Sequence, residues 1–162
     1  MSRSIDSRPW GAAALVLLLA QAVEVEARVR LGHPPQEHCA AAGCSYVNGK
    51  GICVLAADGP DGLAMVLNGT PVKLHRKERL AVFRQSPATR FTPGNRFMSV
   101  YDSVESSVGG VRVKILDTVV QPEGACAGDQ PDCTVVHYQS RIRIELPRDV
   151  IDFRGTGHCP AR

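Results

Sequence analysis

Alternating apolar and polar residues mark two segments in the second half of the chain. In residues 111–115, three apolar side chains alternate with Arg112 and Lys114, and residues 141–146 read Arg-Ile-Arg-Ile-Glu-Leu. Successive side chains of a β-strand point to opposite faces, so a period of two is typical of strands with one buried and one solvated face. The pattern predicts two such strands here.

The first half of the chain contains a clear hairpin signal. Asn68-Gly69 lies between two strand-like segments, residues 63–67 and 70–74. Asn-Gly is the strongest two-residue hairpin signal because both turn positions need a positive φ. The remaining candidate strands are residues 45–47, 52–55, 80–83 and 97–101.

The candidate strands are short, turn residues separate them, and no long amphipathic helix is apparent. These features predict an all-β fold, a small antiparallel β-barrel or sandwich stapled by disulfides. The mixed-charge run at residues 75–79 lies between two candidates. We interpret it as a solvated turn, with contact to an acidic partner as the alternative.

The N-terminal residues have the organisation of an export signal. Arg3 and Arg8 precede an apolar run of nine residues at 12–20, which is well short of the roughly 20 residues that span a bilayer. Ala20-Gln21-Ala22 then forms a small-x-small cleavage site, and a second site ends at Ala27. We predict a signal peptide over residues 1–22, a flexible leader over 23–38 and a single β-rich domain over 39–162. The mature protein is expected to be periplasmic or secreted, with no membrane span.

Charge and composition narrow the class of partner. The chain has 19 Lys and Arg against 16 Asp and Glu, a net charge of +3, and no block of like charges. Trp10, the only tryptophan, lies in the predicted signal. Neither the charge nor the aromatic content favours nucleic acid as a partner.

Six cysteines in an exported chain of this size indicate three disulfides. Cys126 and Cys133 flank a polar, turn-forming stretch and are expected to close that loop. One bond must then join the two ends of the domain if all six pair. We expect Cys44 with Cys159 and Cys39 with Cys53, although the sequence leaves other pairings open.

No segment of the chain has a catalytic or metal-binding signature. His33 and His38 lie near Cys39 and Cys44, but their spacing matches no familiar zinc finger or ribbon. The sequence contains no G-x-S-x-G or H-E-x-x-H motif and no phosphate-cradling loop. We therefore predict no bound metal, no cofactor and no enzymatic activity.

Cationic segments are the candidate contact surfaces for a protein or envelope partner. The loop at residues 84–96 is long and rich in Pro and Arg, so Arg84, Arg90 and Arg96 are the predicted contact residues. A second candidate is a basic stripe, which would form if the two strands that carry its residues are neighbours. The alternative interpretation is an ordinary polar face of a sheet. It comprises Arg112, Lys114, Arg141 and Arg143.

Three segments carry a resemblance to known proteins. Cys44-Ser45-Tyr46, the hairpin at residues 64–69 and the ending Gly155-Thr156-Gly157-His158-Cys159 resemble a family of small, exported, uncharacterised bacterial β-rich proteins. That resemblance implies an envelope location and a β-rich fold, and it carries no activity or site residues. In size, compartment and architecture, the chain is also similar to periplasmic lysozyme inhibitors.

These observations lead to one main hypothesis of function and two alternatives. The main hypothesis is an exported, non-enzymatic β-domain with a binding or structural role in the cell envelope. The first alternative is a periplasmic inhibitor that blocks a lysozyme or another hydrolase. The second is a hydrolase whose site forms only in the folded chain.

Overall fold

The computed structural model describes residues 28–40, 43–84, 91–103, 109–120 and 135–160. Within these residues the chain forms one short helix and eight strands. The elements are α1 (Gln36–Ala40), β1 (Ser45–Asn48), β2 (Cys53–Ala57), β3 (Gly62–Leu67), β4 (Thr70–Phe83), β5 (Arg96–Ser103), β6 (Arg112–Val120), β7 (Val135–Glu145) and β8 (Val150–Pro160).

The strands form a closed antiparallel barrel in which each strand pairs with the next and β8 pairs with β1. This confirms the predicted all-β class and selects the barrel over the sandwich. Every strand thus has a hydrogen-bonded neighbour on both sides along at least part of its length. The interior is filled by the inward-facing residues of the strands, among them Leu63, Met65, Leu74, Val113, Ile115, Ile142 and Ile144.

The hairpin between β3 and β4 forms where the sequence predicts it. Asn68 and Gly69 have φ angles of 50° and 79°. Two successive positive φ values are those of the turn that Asn-Gly favours, because its twist matches that of the flanking strands. The sequence therefore determines this register locally.

The predicted turn at residues 75–79 is wrong, because β4 continues through it as one long strand. Arg76 pairs with Tyr101 and Glu78 pairs with Val100, so Lys77 is an extra residue on the β4 side. Such a bulge shifts the phase of the alternation by one residue. A mixed-charge segment without regular alternation therefore belongs to a strand.

The last strand, β8, was not predicted because glycines interrupt its pattern. Gly155 and Gly157 remove two apolar positions from the inward face, which weakens the period of two that identifies strands. In the structure β8 pairs with β7 over its whole length and with β1 over four residues. The glycines are needed for close approach: a Cβ at Gly157 would lie 2.6 Å from Cε1 of Tyr46.

Replacing Gly157 with alanine is expected to lower the free energy of unfolding by about 1–3 kcal/mol, because the buried Tyr46 ring must move to admit the methyl group. Urea unfolding of the variant and of the unchanged protein measures the difference. Gly49→Ala is the matched control, since the nearest heavy atom to a Cβ there is 4.0 Å away. Equal losses in the two variants would contradict close packing at Gly157.

Arg30 and Gly32, which lie in the predicted leader, form hydrogen bonds with the hairpin of β3 and β4. The backbone N–H of Arg30 donates to Oδ1 of Asn68 at 2.8 Å, and the N–H of Gly32 donates to the carbonyl of Val66 at 2.8 Å. These residues thus extend the sheet beside the hairpin turn.

Two disulfides are present among the described residues. Cys39 in α1 is bonded to Cys53 at the start of β2, and Cys44 is bonded to Cys159 near the end of β8. Both are pairings that the sequence predicts. The predicted bond of Cys126 with Cys133 lies outside the described residues.

Within the described ranges, the structure has no helix that is both long and apolar enough to cross a bilayer.

Candidate functional site

One end of the barrel opens into a cleft of about 720 Å³, which we call the mouth. It lies where β2 ends, β3 begins and the second half of β4 passes. Arg76, Arg79 and Arg84 line it together with Phe97 and Tyr101. Barrel mouths are common positions for small-ligand sites, and this volume lies within the range of such sites, roughly 300–1,000 Å³.

The bulge at Lys77 determines which charge faces the mouth. Arg76 faces inward with Tyr101, its cross-strand partner, and Arg79 faces inward with Ser99. In a regular strand the alternation that places Arg76 inside would also place Glu78 inside. The bulge turns Glu78 outward and brings in a guanidinium instead.

Arg79 is held at the mouth by contacts with two aromatic residues. Its side chain is half-buried, Nη2 donates to the hydroxyl of Tyr138 at 3.2 Å, and Cζ lies 5.3 Å from the centre of the Phe97 ring. A guanidinium over an aromatic face is attracted to the ring's negative surface. These contacts hold Arg79 in place at the inner side of the cleft.

The mouth carries an excess of positive charge. Asp61 is the only carboxylate among the described residues that line it, and it forms an ion pair with Arg76. Arg84 is exposed and makes no ion pair with another described residue. Three guanidinium groups against one carboxylate leave the cleft suited to an anion.

A buried carboxylate lies in the barrel interior near Arg79. Asp117 is 1% exposed; its Oδ1 accepts a hydrogen bond from Oγ of Ser140 at 2.6 Å, and its Oδ2 accepts one from the hydroxyl of Tyr46 at 3.1 Å. Burial raises the pKa of Asp117 to about 6, although these two donors and the charge of Arg79 favour the ionised form. Burial, and then the charge of Asp117, likewise raise the pKa of the Tyr46 phenol.

No family model, curated protein or solved structure matches this chain. The assignment of a site therefore rests on the geometry described above.

The three predicted contact residues have different positions. Arg84 lines the mouth, Arg96 begins β5 with an exposed side chain, and Arg90 lies outside the described residues. The loop prediction thus named one residue that lines this candidate site. It missed Arg76, which belongs to the run interpreted as a turn, and it missed Arg79 for the same reason.

Asp117 was also missed, although the sequence contained a signal for it. Continuing the period of two from Val111 places Asp117 on the apolar face of β6. A carboxylate in phase with buried residues needs hydrogen-bond partners in the interior. Only the tertiary structure identifies them.

The predicted basic stripe forms, but carboxylates neutralise most of it. Strands β6 and β7 are neighbours, with Lys114 opposite Arg143. Lys114 contacts Glu145 at 2.7 Å, and Arg143 contacts Asp152 at 3.2 Å as well as Glu145 at 3.3 Å. Arg112 pairs with Asp102 at 2.7 Å, so of the predicted stripe only Arg141 has no ion pair among the described residues.

The described part of the chain contains no group of three or more potential metal ligands of the His, Cys, Asp or Glu type.

Proposed function

We propose that this protein is an exported, non-enzymatic binding protein that holds a small anionic molecule with an apolar portion in the mouth of the barrel. The observation that carries the proposal is Arg79, a half-buried guanidinium held between Tyr138 and Phe97 beside a cleft of ligand size.

The lining of the mouth supports this class of ligand. A carboxylate or phosphate group would be held by the guanidinium groups of Arg76, Arg79 and Arg84, which favour planar, bidentate contact with such anions. Phe97 and Leu63 would cover an apolar portion. Binding sites commonly combine an apolar lining with a few placed polar groups, as here.

Export is supported by the disulfides and by the signal-like residues 1–22. Disulfide bonds form and persist in oxidising compartments and are rare in the cytosol. Cys39–Cys53 and Cys44–Cys159 are therefore consistent with an oxidising extracytoplasmic environment. Among oxidising environments outside the cytoplasm, we propose the periplasm or the exterior of the cell as the location of this protein.

Binding is favoured over hydrolysis by the groups that line the mouth. Its described lining holds no imidazole, and Asp61 is already paired with Arg76. Asp117 and Ser140 are hydrogen-bonded to each other in the interior, at 1% and 3% exposure. A general base needs access to the substrate, which neither position offers.

Titration calorimetry of the oxidised protein with octyl phosphate and octanoate tests the proposal. Both anions are expected to bind, and octylamine, with a similar chain and the opposite charge, is not. Arg79→Gln is expected to weaken binding at least about tenfold, because a hydrogen bond to a charged group is lost. Arg84→Gln is expected to weaken it less, because that side chain is exposed.

Arg30→Gln is the matched control, since Arg30 is exposed and does not line the mouth. It is expected to leave the affinity unchanged. Arg84→Gln is a second test that does not depend on Arg79→Gln folding correctly, because an exposed side chain contributes little to stability. Equal affinity for octylamine, or unchanged anion binding in both the Arg79 and Arg84 variants, would refute the proposal.

A further inference from the structure

Two histidines lie directly opposite each other on neighbouring strands of the barrel. His137 in β7 pairs with His158 in β8, their ring centres are 4.7 Å apart, and the ring planes meet at 87°. Their chain neighbours Val136 and Cys159 are buried in the interior, so alternation places both imidazoles on the outer face. The pairing of β7 with β8 therefore holds two imidazole rings side by side.

Both imidazoles are available to a ligand. Apart from their contact with each other, neither ring has a hydrogen bond or ion pair to any residue of the described ranges. A neutral imidazole carries one ring nitrogen that accepts a hydrogen bond or binds a metal ion. Burial, and then the proximity of His137, lower the pKa of His158, which favours the neutral form that can bind a metal.

The distance between the two rings is suited to a shared metal ion. An imidazole nitrogen lies about 2.0–2.1 Å from a bound zinc ion, which places the ion about 3.2 Å from the ring centre. Two rings that bind one ion at a right angle then have centres about 4.5 Å apart, and at the tetrahedral angle about 5.2 Å apart. The observed 4.7 Å is closer to the right-angled arrangement.

The surroundings of the pair do not repel a cation. The cross-strand neighbours in β6 and β1, and the next row along β7 and β8, are uncharged: Val120, Ser45, Gln139 and Thr156. The next row in that direction pairs Arg141 with Arg154, which lie four residues from the histidines. That separation is about 13 Å along the strands, longer than the Debye length of about 8 Å at physiological salt.

We propose that His137 and His158 form a binding site for a divalent transition-metal ion, and that Cu(II) is the ion bound most tightly. Each imidazole would supply one nitrogen ligand, and water would complete the coordination. Imidazole is a ligand for copper, zinc and nickel, and the affinity of a given site for these ions is generally highest for Cu(II). Tetragonal Cu(II) also takes ligands at right angles, whereas zinc sites are tetrahedral.

This site is separate from the anion site proposed for the mouth, and it goes beyond that function. Neither histidine lines the mouth. Variants of His137 and His158 are therefore expected to leave the affinity for octyl phosphate unchanged. No local motif links the two residues, because they meet only through the pairing of β7 with β8.

Titration of the untagged, oxidised protein with copper(II) chloride tests the inference, by calorimetry in a buffer that does not bind copper. Cu(II) is expected to bind more tightly than Ni²⁺ or Zn²⁺. Mg²⁺, which prefers oxygen ligands, is expected not to bind at this site. Electron paramagnetic resonance of the complex with one equivalent of Cu(II) is expected to show coupling to two imidazole nitrogens.

His137→Gln and His158→Gln are each expected to weaken Cu(II) binding at least about tenfold, because the second ligand of a chelate binds at high effective concentration. The matched control is His75→Gln, which removes an exposed imidazole from β4 and is expected to leave the affinity unchanged. A thermal melt without metal verifies the fold of each variant. The resonance spectrum of the unchanged protein tests the site without relying on any variant.

Four outcomes would overturn the inference. One is a Cu(II) affinity that neither His137→Gln nor His158→Gln lowers, which would place the ion elsewhere. Another is a spectrum of the unchanged protein with coupling to fewer than two imidazole nitrogens. A third is an equal loss of affinity in His75→Gln, which would indicate binding by single exposed imidazoles. The fourth is tighter binding of Zn²⁺ than of Cu(II), which would contradict the choice of metal.

Discussion

Replacing Cys44 and Cys159 together with alanine is expected to lower the free energy of unfolding by about 4–5 kcal/mol. The bond joins residues 115 apart in sequence, so its loss greatly enlarges the conformational freedom of the unfolded chain. This loss is comparable to the whole stability of many small domains, typically about 5–15 kcal/mol. Denaturant unfolding, monitored by far-ultraviolet circular dichroism, measures it.

The matched control removes the other described disulfide by replacing Cys39 and Cys53 with alanine. These residues are only 14 apart, so the expected loss is about 3 kcal/mol. The difference between the two double variants isolates the effect of loop length from that of removing sulfur atoms. A loss in the Cys44/Cys159 variant no larger than that of the control would contradict the entropic explanation.

Replacing Asp117 with asparagine is expected to stabilise the fold at neutral pH by up to about 3 kcal/mol. Because burial raises the pKa of Asp117 to about 6 from an ordinary value of 3.8, the folded state binds a proton more tightly than the unfolded state does. The favourable contribution of this carboxyl group to the stability of the folded state is complete below about pH 4 and is lost as the pH rises to about 6. Asparagine carries no charge, so it avoids the cost of an ionised group in the interior.

The surroundings of Asp117 can accommodate the amide. Its oxygen would accept the hydrogen bond from Ser140, and its NH₂ group would donate to the phenol oxygen of Tyr46. The phenol hydrogen can then turn toward Sγ of Cys159, which lies 3.6 Å from the Tyr46 oxygen. The substitution therefore leaves few buried polar groups without partners.

Urea unfolding between about pH 4 and pH 7 tests this prediction. The difference in the free energy of unfolding between Asp117→Asn and the unchanged protein is expected to grow across this range and to level off above about pH 6. Ser140→Ala provides a second test, because losing that donor is expected to raise the pKa of Asp117 and move the transition to higher pH. A difference in the free energy of unfolding that does not vary with pH would contradict the raised pKa of Asp117.

The positions of the charged residues show where interpretation of the sequence succeeds. Residues 111–115 alternate regularly, so the outward position of Arg112 and Lys114 follows from the period of two alone. Arg79 has no such determinant, because the bulge at Lys77 breaks the phase of β4. A one-residue shift exchanges the two faces of a strand, so local pattern assigns Glu78 and Arg79 to the wrong sides.

The sequence by itself determined the features that depend on neighbouring residues: the alternation of β6 and β7, the Asn68-Gly69 turn and the β-rich class. It also limited the cysteine pairings: if Cys126 bonds to Cys133 and all six cysteines pair, one bond must join the two ends of the domain. Only the tertiary structure decided that β8 closes the barrel on β1, that the bulge brings Arg79 into the mouth, and that Arg141 lies opposite Arg154. The physical reason is that these features arise from pairings between residues distant in sequence, whose energies local patterns do not encode.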